Sequence, residues 1–279
     1  TGSYCVAVGG ECLDANTTGR NTGYGWRALS TVTTGMNNTA VGDHALNSCT
    51  GDFNTALGHG ALQTSAAGDE NTAVGCRTLF ANTSGSANVG VGASALRANS
   101  TGDYNIAVGY AALNDNTTAS YNTAVGDNAL AVNTTGAENT AVGQQSLDAN
   151  TTGDYNTALG VNALGANTTA GSNTAVGWKA LEANTTGAAN IAVGREALAD
   201  NTTASNNLAI GYQALYVATT APNNVALGNY NLTANTTGDG NTAVGYGVMQ
   251  ANTTGTSNVA VGRNSLVANT TGAQNVAVG

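Results

Sequence analysis

Basic residues are scarce in this chain. Only 7 Lys and Arg stand against 16 Asp and Glu among 279 residues, so the formal net charge at pH 7 is −9. No basic patch is available to neutralise phosphates, which argues against nucleic-acid binding. The same shortage argues against a parallel β-helix sugar lyase, which needs acids and bases clustered on one side of its coils.

Long hydrophobic runs and metal-ligand spacings are also missing. No apolar stretch approaches the about 18 residues that a membrane-spanning helix needs, so we expect no membrane insertion in this segment. The four cysteines include no Cys-x-x-Cys pair, and His44 and His59 are not spaced with them as zinc ligands. We therefore predict no metal, no cofactor and no catalytic residues. Cys5 and Cys12 are candidates for a disulfide, with free thiols as the alternative.

Glycine, in contrast, recurs with a fixed period. A column of 17 glycines runs from Gly9 and Gly25 to Gly279, with 14 intervals of 17 residues and two of 16. The consensus unit is Asn-Thr-Ala-Val-Gly-x-x-Ala-Leu-x-Ala-Asn-Thr-Thr-Gly-x-x. Such a period predicts stacked repeats rather than one globular core. We predict an all-β parallel β-roll or β-helix solenoid of about 16 coils, forming a single repeat array over residues 1–279.

The segment before each column glycine has the pattern of a short strand. Thr or an aliphatic residue lies three before the glycine, and Val, Leu or Ile lies one before it, so both point to one face of the strand. We interpret that face as the coil interior, filled together with a Leu column four residues after the glycine. The predicted core residues include Val125, Leu130, Val142 and Leu147.

The residue between these two strand positions is almost always Ala. It is Ala in 15 of 17 units and Gly in the other two. If the core lies on the opposite face, Ala faces outwards, and its small size indicates close approach by another chain or crowding within a narrow coil. The assembly-interface candidates are Ala107, Ala124, Ala141, Ala158, Ala175 and Ala192.

Asparagine occupies a column of its own, four residues before the glycine in 16 of 17 units. Stacked coils place equivalent side chains about 4.8 Å apart, so Asn amides can hydrogen-bond from coil to coil. The predicted ladder includes Asn105, Asn122, Asn139, Asn156 and Asn173. A second Asn begins the Asn-Thr-Thr-Gly corner, where it either makes the corner's hydrogen bonds or serves as a glycosylation sequon. The sequon candidates include Asn16, Asn82, Asn99, Asn116, Asn133 and Asn150.

Two surfaces could bind ligands. The positions after the column glycine are variable and contain aromatic residues that could contact a glycan or a host surface, or could be solvated turns. The aromatic candidates are Trp26, Tyr110, Trp178, Tyr212 and Tyr246. The corner Thr pairs suggest an ice-binding face, but adjacent residues on a strand point to opposite sides.

The strand motif also resembles a known family. Asn105-Ile106-Ala107-Val108-Gly109 and Asn190-Ile191-Ala192-Val193-Gly194 resemble the Asn-Ser-Val-Ala-Ile-Gly head repeat of trimeric autotransporter adhesins, whose unit is shorter because it lacks the Asn-Thr-Thr-Gly corner. Asn-Thr-Ala-Val-Gly-x-x-Ala-Leu units also resemble repeats of tail-fibre-like proteins. The resemblance covers the whole chain and implies a homotrimeric fibre.

These patterns together predict a structural, non-catalytic protein. We expect an extracellular fibre segment, such as an adhesin stalk or head or a tail fibre, on a cell or virion surface and within a longer chain. Its expected partners are copies of itself and a host-surface or glycan receptor. The alternatives are a single-chain solenoid that polymerises end to end into a surface filament, because uncapped coil ends are adhesive, and an ice- or glycan-binding solenoid.

Overall fold

The chain folds as a parallel β-solenoid. The computed structural model describes residues 4–17, 19–64 and 67–279. Among these residues it has 17 short strands and no helix, and about 17 residues separate the start of one strand from the start of the next. The predicted all-β solenoid of about 16 coils is therefore confirmed.

Two compact units divide the chain, Thr1–Glu138 and Asn139–Gly279. The described strands of the first unit are β1 Val6–Val8, β2 Thr22–Tyr24, β3 Thr39–Val41, β4 Thr55–Leu57, β5 Thr72–Val74, β6 Val89–Val91, β7 Ile106–Val108 and β8 Thr123–Val125. Those of the second are β9 Thr140–Val142, β10 Thr157–Leu159, β11 Thr174–Val176, β12 Ile191–Val193, β13 Leu208–Ile210, β14 Val225–Leu227, β15 Thr242–Tyr246, β16 Val259–Arg263 and β17 Val276–Val278.

Within each unit, consecutive strands pair in parallel and in repeat register. In β10 and β11, for example, Ala158 lies opposite Ala175 and Leu159 opposite Val176. Each side chain therefore stacks on its equivalent about 4.8 Å away. A column in the sequence becomes a stripe along the unit.

The Ala column lies inside the coil. All six residues expected at an assembly interface, from Ala107 to Ala192 in that column, have no solvent exposure. Their expected outward orientation is therefore wrong. The interior is too narrow for a larger side chain at this position, which explains why the column contains nothing bigger than Ala.

The outward side chains are those on either side of the Ala. Val125 and Val142 are only partly buried, with Thr123 and Thr140 beside them on the same outer face. Their expected core positions are wrong, whereas Leu130 and Leu147 are fully buried as expected. The two-residue period correctly separates the faces of the strand, but it does not tell which face is inside.

Tight turns explain how Leu reaches the interior. In the coil that starts at β10, Asn162, Leu164 and the column glycine Gly160 all have positive φ angles, of 55°, 53° and 138°. A positive φ is unusual for a bulky residue such as Leu and is maintained by the surrounding packing. Gly160 is further constrained, because a Cβ there would lie 2.5 Å from the carbonyl oxygen of Gly177 in the next coil.

The strand Asn column forms the predicted ladder. The side-chain oxygen of Asn105 accepts from the backbone N–H of Asn122 at 3.0 Å, and that of Asn156 accepts from Asn173 at 3.1 Å. The amide N–H of Asn139 donates to the carbonyl of Gly153, 14 residues ahead in the corner, at 2.8 Å. Each buried Asn side chain thus forms hydrogen bonds with its own coil and with a neighbouring coil.

The corner Asn column forms a second internal ladder. The amide nitrogen of Asn116 donates to the side-chain oxygen of Asn99 at 2.8 Å and to the carbonyl of Ala119 at 2.9 Å. The sequon candidates Asn82, Asn99, Asn116, Asn133 and Asn150 are fully buried, and Asn16 is nearly so. Since a glycan attaches to this same amide nitrogen, the folded coil does not present these sequons as the exposed acceptors that glycosylation requires.

Within the second unit, one coil interrupts the corner ladder. Ala218 stands where the preceding coil has Asn201. The side-chain oxygen of Asn201 and the side-chain nitrogen of Asn207 are buried there and lack a hydrogen-bond partner among the described residues. The missing amide at position 218 explains the first of these, because a corner Asn normally donates to the Asn of the coil before it.

Candidate interaction surfaces

The outer strand face is uncharged and largely apolar. We call it the strand face; it consists of the residues three and one before each column glycine, and these are Thr, Val, Ile, Leu and a single Tyr. Leu159, Ile191 and Ile210 on this face are 47%, 43% and 41% exposed. Neighbouring strands continue the same two stripes, so each unit presents a continuous band of aliphatic and Thr side chains.

The corner Thr residues are partly used by the fold itself. The hydroxyl of Thr185 donates to the carbonyl of Thr202 at 3.0 Å, and that of Thr168 donates to the carbonyl of Thr185 at 3.2 Å. The second Thr of each pair that the structure describes in full, such as Thr186, is exposed. Because the first hydroxyl bonds along the stack, the corner does not present two matched rows of Thr.

Aromatic and basic side chains meet after the column glycines of the second unit. Both Lys179 Nζ and Arg195 Cζ lie over the ring of Trp178, at 5.0 and 4.8 Å from its centroid. Arg195 also lies over the ring of Tyr212, at 5.6 Å. The guanidinium group of Arg195 is therefore held between aromatic rings of two neighbouring coils.

The contacts continue along the stack. Tyr230 packs edge-on against Tyr212 and Tyr246, with centroid distances of 5.1 and 5.8 Å. Desolvation raises the pKa of the Tyr230 phenol, and the phenols of Tyr212 and Tyr246 raise it further. Arg263 lies over Tyr246 at 5.7 Å and pairs with it directly in the extended part of β15 and β16.

We call this set the cation–aromatic stripe; its members are Trp178, Lys179, Arg195, Tyr212, Tyr230, Tyr246 and Arg263. The stripe contains three of the five aromatic candidates from the sequence, Trp178, Tyr212 and Tyr246. Its other four members were not among those candidates. The signal that could have found the additional residues is their shared position, one or two residues after the column glycine.

The first unit contains the other two aromatic candidates. Trp26 packs edge-on against His44 at 4.7 Å and lies under the guanidinium of Arg27 at 4.6 Å. Arg27 in turn makes an ion pair with Glu11 at 2.6 Å. Tyr110, farther along the same column, is 62% exposed.

Three successive coils of the first unit bring together Asp43, His59 and Cys76. The thiol of Cys76 lies 3.9 Å from His59 Nδ1, and His59 Nε2 lies 3.8 Å from a carboxylate oxygen of Asp43. Sequence reasoning did not find this row, although spacings of 16 and 17 residues place all three in one column. Both contacts are long and the three side chains are exposed, so the row lacks the enclosed setting that supports nucleophilic catalysis.

Cys5 and Cys12 are not joined by a disulfide in this structure. Together with Ala7 and Leu13 they line an open cavity of about 370 Å³ at the first coil. Burial raises the pKa of the Cys12 thiol, and a hydrogen bond with the Val8 backbone partly offsets this. The cavity exposes the interior of this coil.

The described part of the chain contains neither a cluster of metal-ligating side chains nor a membrane-spanning helix. No three His, Cys, Asp or Glu side chains there are placed to share a metal ion. The same residues include no helix with the length and apolarity to cross a bilayer. Comparison with known proteins gives no matching family model, no similar curated protein and no similar solved structure.

Proposed function

We propose that the chain is a non-catalytic structural segment of an extracellular fibre, in which copies associate through the strand face. The observation that carries this proposal is the exposure of aliphatic side chains in an uncharged band, on a chain of net charge −9. Contact through this band buries apolar area without bringing carboxylates together.

The size of the strand face suits a stable contact. The second unit alone has nine strands, and two outward side chains on each give 18 contact residues. A standard protein interface uses about 20–30 residues per partner. The second unit by itself therefore nearly supplies such an interface.

The resemblance to adhesin heads and tail fibres favours three copies around a shared axis. The strand face would line that axis, in place of the Ala column that the sequence suggested. The outer surface would then face the surroundings of a cell or virion and be free to meet a host-surface or glycan receptor.

The experiment compares two charge-matched variants with the wild-type chain. Leu159→Glu with Ile191→Glu places two charges on the strand face, whereas Thr152→Glu with Thr203→Glu places them on exposed corner positions. Sedimentation velocity measures the assembly state, and circular dichroism checks the fold. We expect the wild type and the corner variant to be oligomers of one size, and the strand-face variant to be a folded monomer.

Other results would contradict this proposal. If the wild type is monomeric, or if the strand-face variant assembles as well as the corner variant, the strand face is not the interface. Growth of long filaments by both variants would favour end-to-end polymerisation.

The strand face also favours a second candidate, an ice-binding surface. In β8 to β11, Thr and Val or Leu point outwards with a buried Ala between them, which is the inward–outward alternation that the corner pairs lack. A monomeric chain that produces thermal hysteresis, with loss of the effect in the Leu159→Glu and Ile191→Glu variant, would support this function over the fibre.

A further inference from the structure

We propose that the cation–aromatic stripe binds an acidic polysaccharide, a sugar polymer that carries carboxylate or sulfate groups. This inference deepens the receptor-binding part of the proposed function and is independent of self-association, because the stripe consists of residues that follow the column glycines and are not part of the strand face.

Charge distribution is the first argument. The second unit contains three basic side chains, Lys179, Arg195 and Arg263, and all three belong to the stripe. Its six acidic residues leave that unit with a negative net charge. The stripe is therefore the one place in residues 139–279 where positive charge is concentrated, and it defines where an anion is attracted.

The geometry of Arg195 is the second argument. Its guanidinium carbon lies 4.8 Å from the centroid of the Trp178 ring and 5.6 Å from that of the Tyr212 ring. A guanidinium group in contact with aromatic rings retains its N–H donors, and their planar fork matches a carboxylate or sulfate. Restriction between two rings also lowers the entropy lost when an anion binds.

The carboxylates near Arg195 leave its guanidinium group accessible to a ligand. Glu196 lies 3.6 Å from Arg195 Nη2, but its side chain is only 14% exposed whereas that of Arg195 is 60% exposed. Glu196 also accepts a hydrogen bond from Gln213 at 2.8 Å. Lys179 is more fully engaged, through an ion pair with Glu182 at 3.0 Å. We therefore assign the main anion contacts to Arg195 and Arg263.

The length of the stripe determines the kind of ligand. Arg195 and Arg263 are four coils apart, or about 19 Å at 4.8 Å per coil. One small anion cannot contact both, whereas a polymer with regularly spaced charges can. The tyrosines between them offer partly exposed ring edges and hydroxyls, which suit the alternating C–H and hydroxyl groups of sugars.

Binding is tested with immobilised wild-type protein and soluble polymers. Polygalacturonate supplies carboxylates, dextran sulfate supplies sulfates, dextran is the neutral control, and single-stranded DNA is a polyanion without acidic sugars. The stripe variant is Arg195→Gln with Arg263→Gln. The matched variant Arg77→Gln with Arg97→Gln removes two exposed charges from the first unit.

We expect one of the acidic polysaccharides to bind, and its affinity to fall about tenfold or more in the stripe variant, since each lost arginine removes a charge-assisted hydrogen bond. The matched variant should change affinity less than about twofold. Equal loss in the two variants, or no binding of either acidic polymer, would overturn the proposal. Equally tight binding of dextran would also overturn it, because the contact would then be ring stacking that does not depend on charge. Equally tight binding of the DNA would overturn it as well, because it would indicate unspecific attraction to any polyanion. Sedimentation of the stripe variant, expected to match the wild type, separates this outcome from a failure of the fibre proposal.

Discussion

The side-chain nitrogen of Asn156 donates to the side-chain oxygen of Asn139, one coil away, over 3.1 Å. The same nitrogen donates to the carbonyl of Ala170 at 2.9 Å, and the Asn156 oxygen accepts from the backbone of Asn173. One buried amide therefore satisfies polar groups in three coils. Asn suits this position because it carries a donor and an acceptor without a charge.

Replacing Asn156 by Asp should destabilise the second unit in a pH-dependent manner. The new carboxylate would face two oxygens, Asn139 Oδ1 and the Ala170 carbonyl, while buried, and both effects raise its pKa above its unfolded value of about 3.9. A carboxyl whose folded pKa is raised loses stability as pH rises from the unfolded pKa through the folded pKa. Thermal unfolding should therefore show a larger deficit at pH 7 than at pH 4.

Asn206→Asp is the matched control, because Asn206 is exposed in the same unit. It should unfold like the wild type at both pH values. An Asn156→Asp deficit that is equal at the two pH values would show that the ladder does not depend on an uncharged side chain.

Ala218→Asn should stabilise the chain. The new amide would complete the corner ladder by donating to the buried oxygen of Asn201, which now lacks a partner. A net gain of about 0.5–1.5 kcal/mol in the free energy of unfolding is expected for one restored hydrogen bond. Denaturant titration measures it. Ala218→Ser carries its donor one atom closer to the backbone, farther from the Asn201 oxygen, and should gain less; equal gains would show that the hydrogen bond to Asn201 is not the cause of the stabilisation.

Gly160→Ala should destabilise strongly, whereas Gly165→Ala should not. A Cβ on Gly160 would meet the Gly177 carbonyl oxygen at 2.5 Å at a φ of 138°, while a Cβ on Gly165 has its nearest neighbour at an ordinary 3.5 Å. Backbone strain alone costs about 1–3 kcal/mol at such a φ. Thermal melts of the two single variants provide the comparison. Similar midpoints would mean that the column glycines are not selected by backbone geometry.

Ala141→Leu and Thr140→Leu distinguish the inner from the outer face of one strand. Ala141 is fully buried and Thr140 is exposed, so Leu overfills the coil only at position 141. Overpacking costs about 1–3 kcal/mol, whereas position 140 should tolerate Leu because Leu208 occupies the equivalent position in β13. Proteolysis rates and denaturant titration report the difference. A stable Ala141→Leu variant would contradict the narrow interior.

Cys76 should react with iodoacetamide much faster than Cys49 in the folded protein. Cys76 is exposed beside His59, whereas Cys49 is 1% exposed. Peptide mapping after timed labelling compares the two thiols, and labelling in urea serves as the control in which the rates should converge. Comparable rates in the folded state would show that the coil around Cys49 opens readily.

The sequence by itself determined the repeat, the strand positions, the parallel stacking and both the Asn and Leu columns. With a 17-residue period, identical side chains such as Asn139 and Asn156 become neighbours only when successive coils stack in register. Hydrophobic alternation correctly placed Thr140 and Val142 on one face of β9 and Ala141 on the other.

Only the tertiary structure decided which of these faces is inside. The direction in which the chain turns after each strand decides which strand face becomes the interior. That direction depends on positive φ angles at residues such as Leu164, and the pattern of apolar residues in the sequence does not reveal these angles. With Leu and Asn filling the interior, only Ala fits between them, and the larger Val and Thr side chains point outwards. The same closure aligned Trp178, Arg195 and Tyr212, because contacts between coils form only once every turn has been fixed.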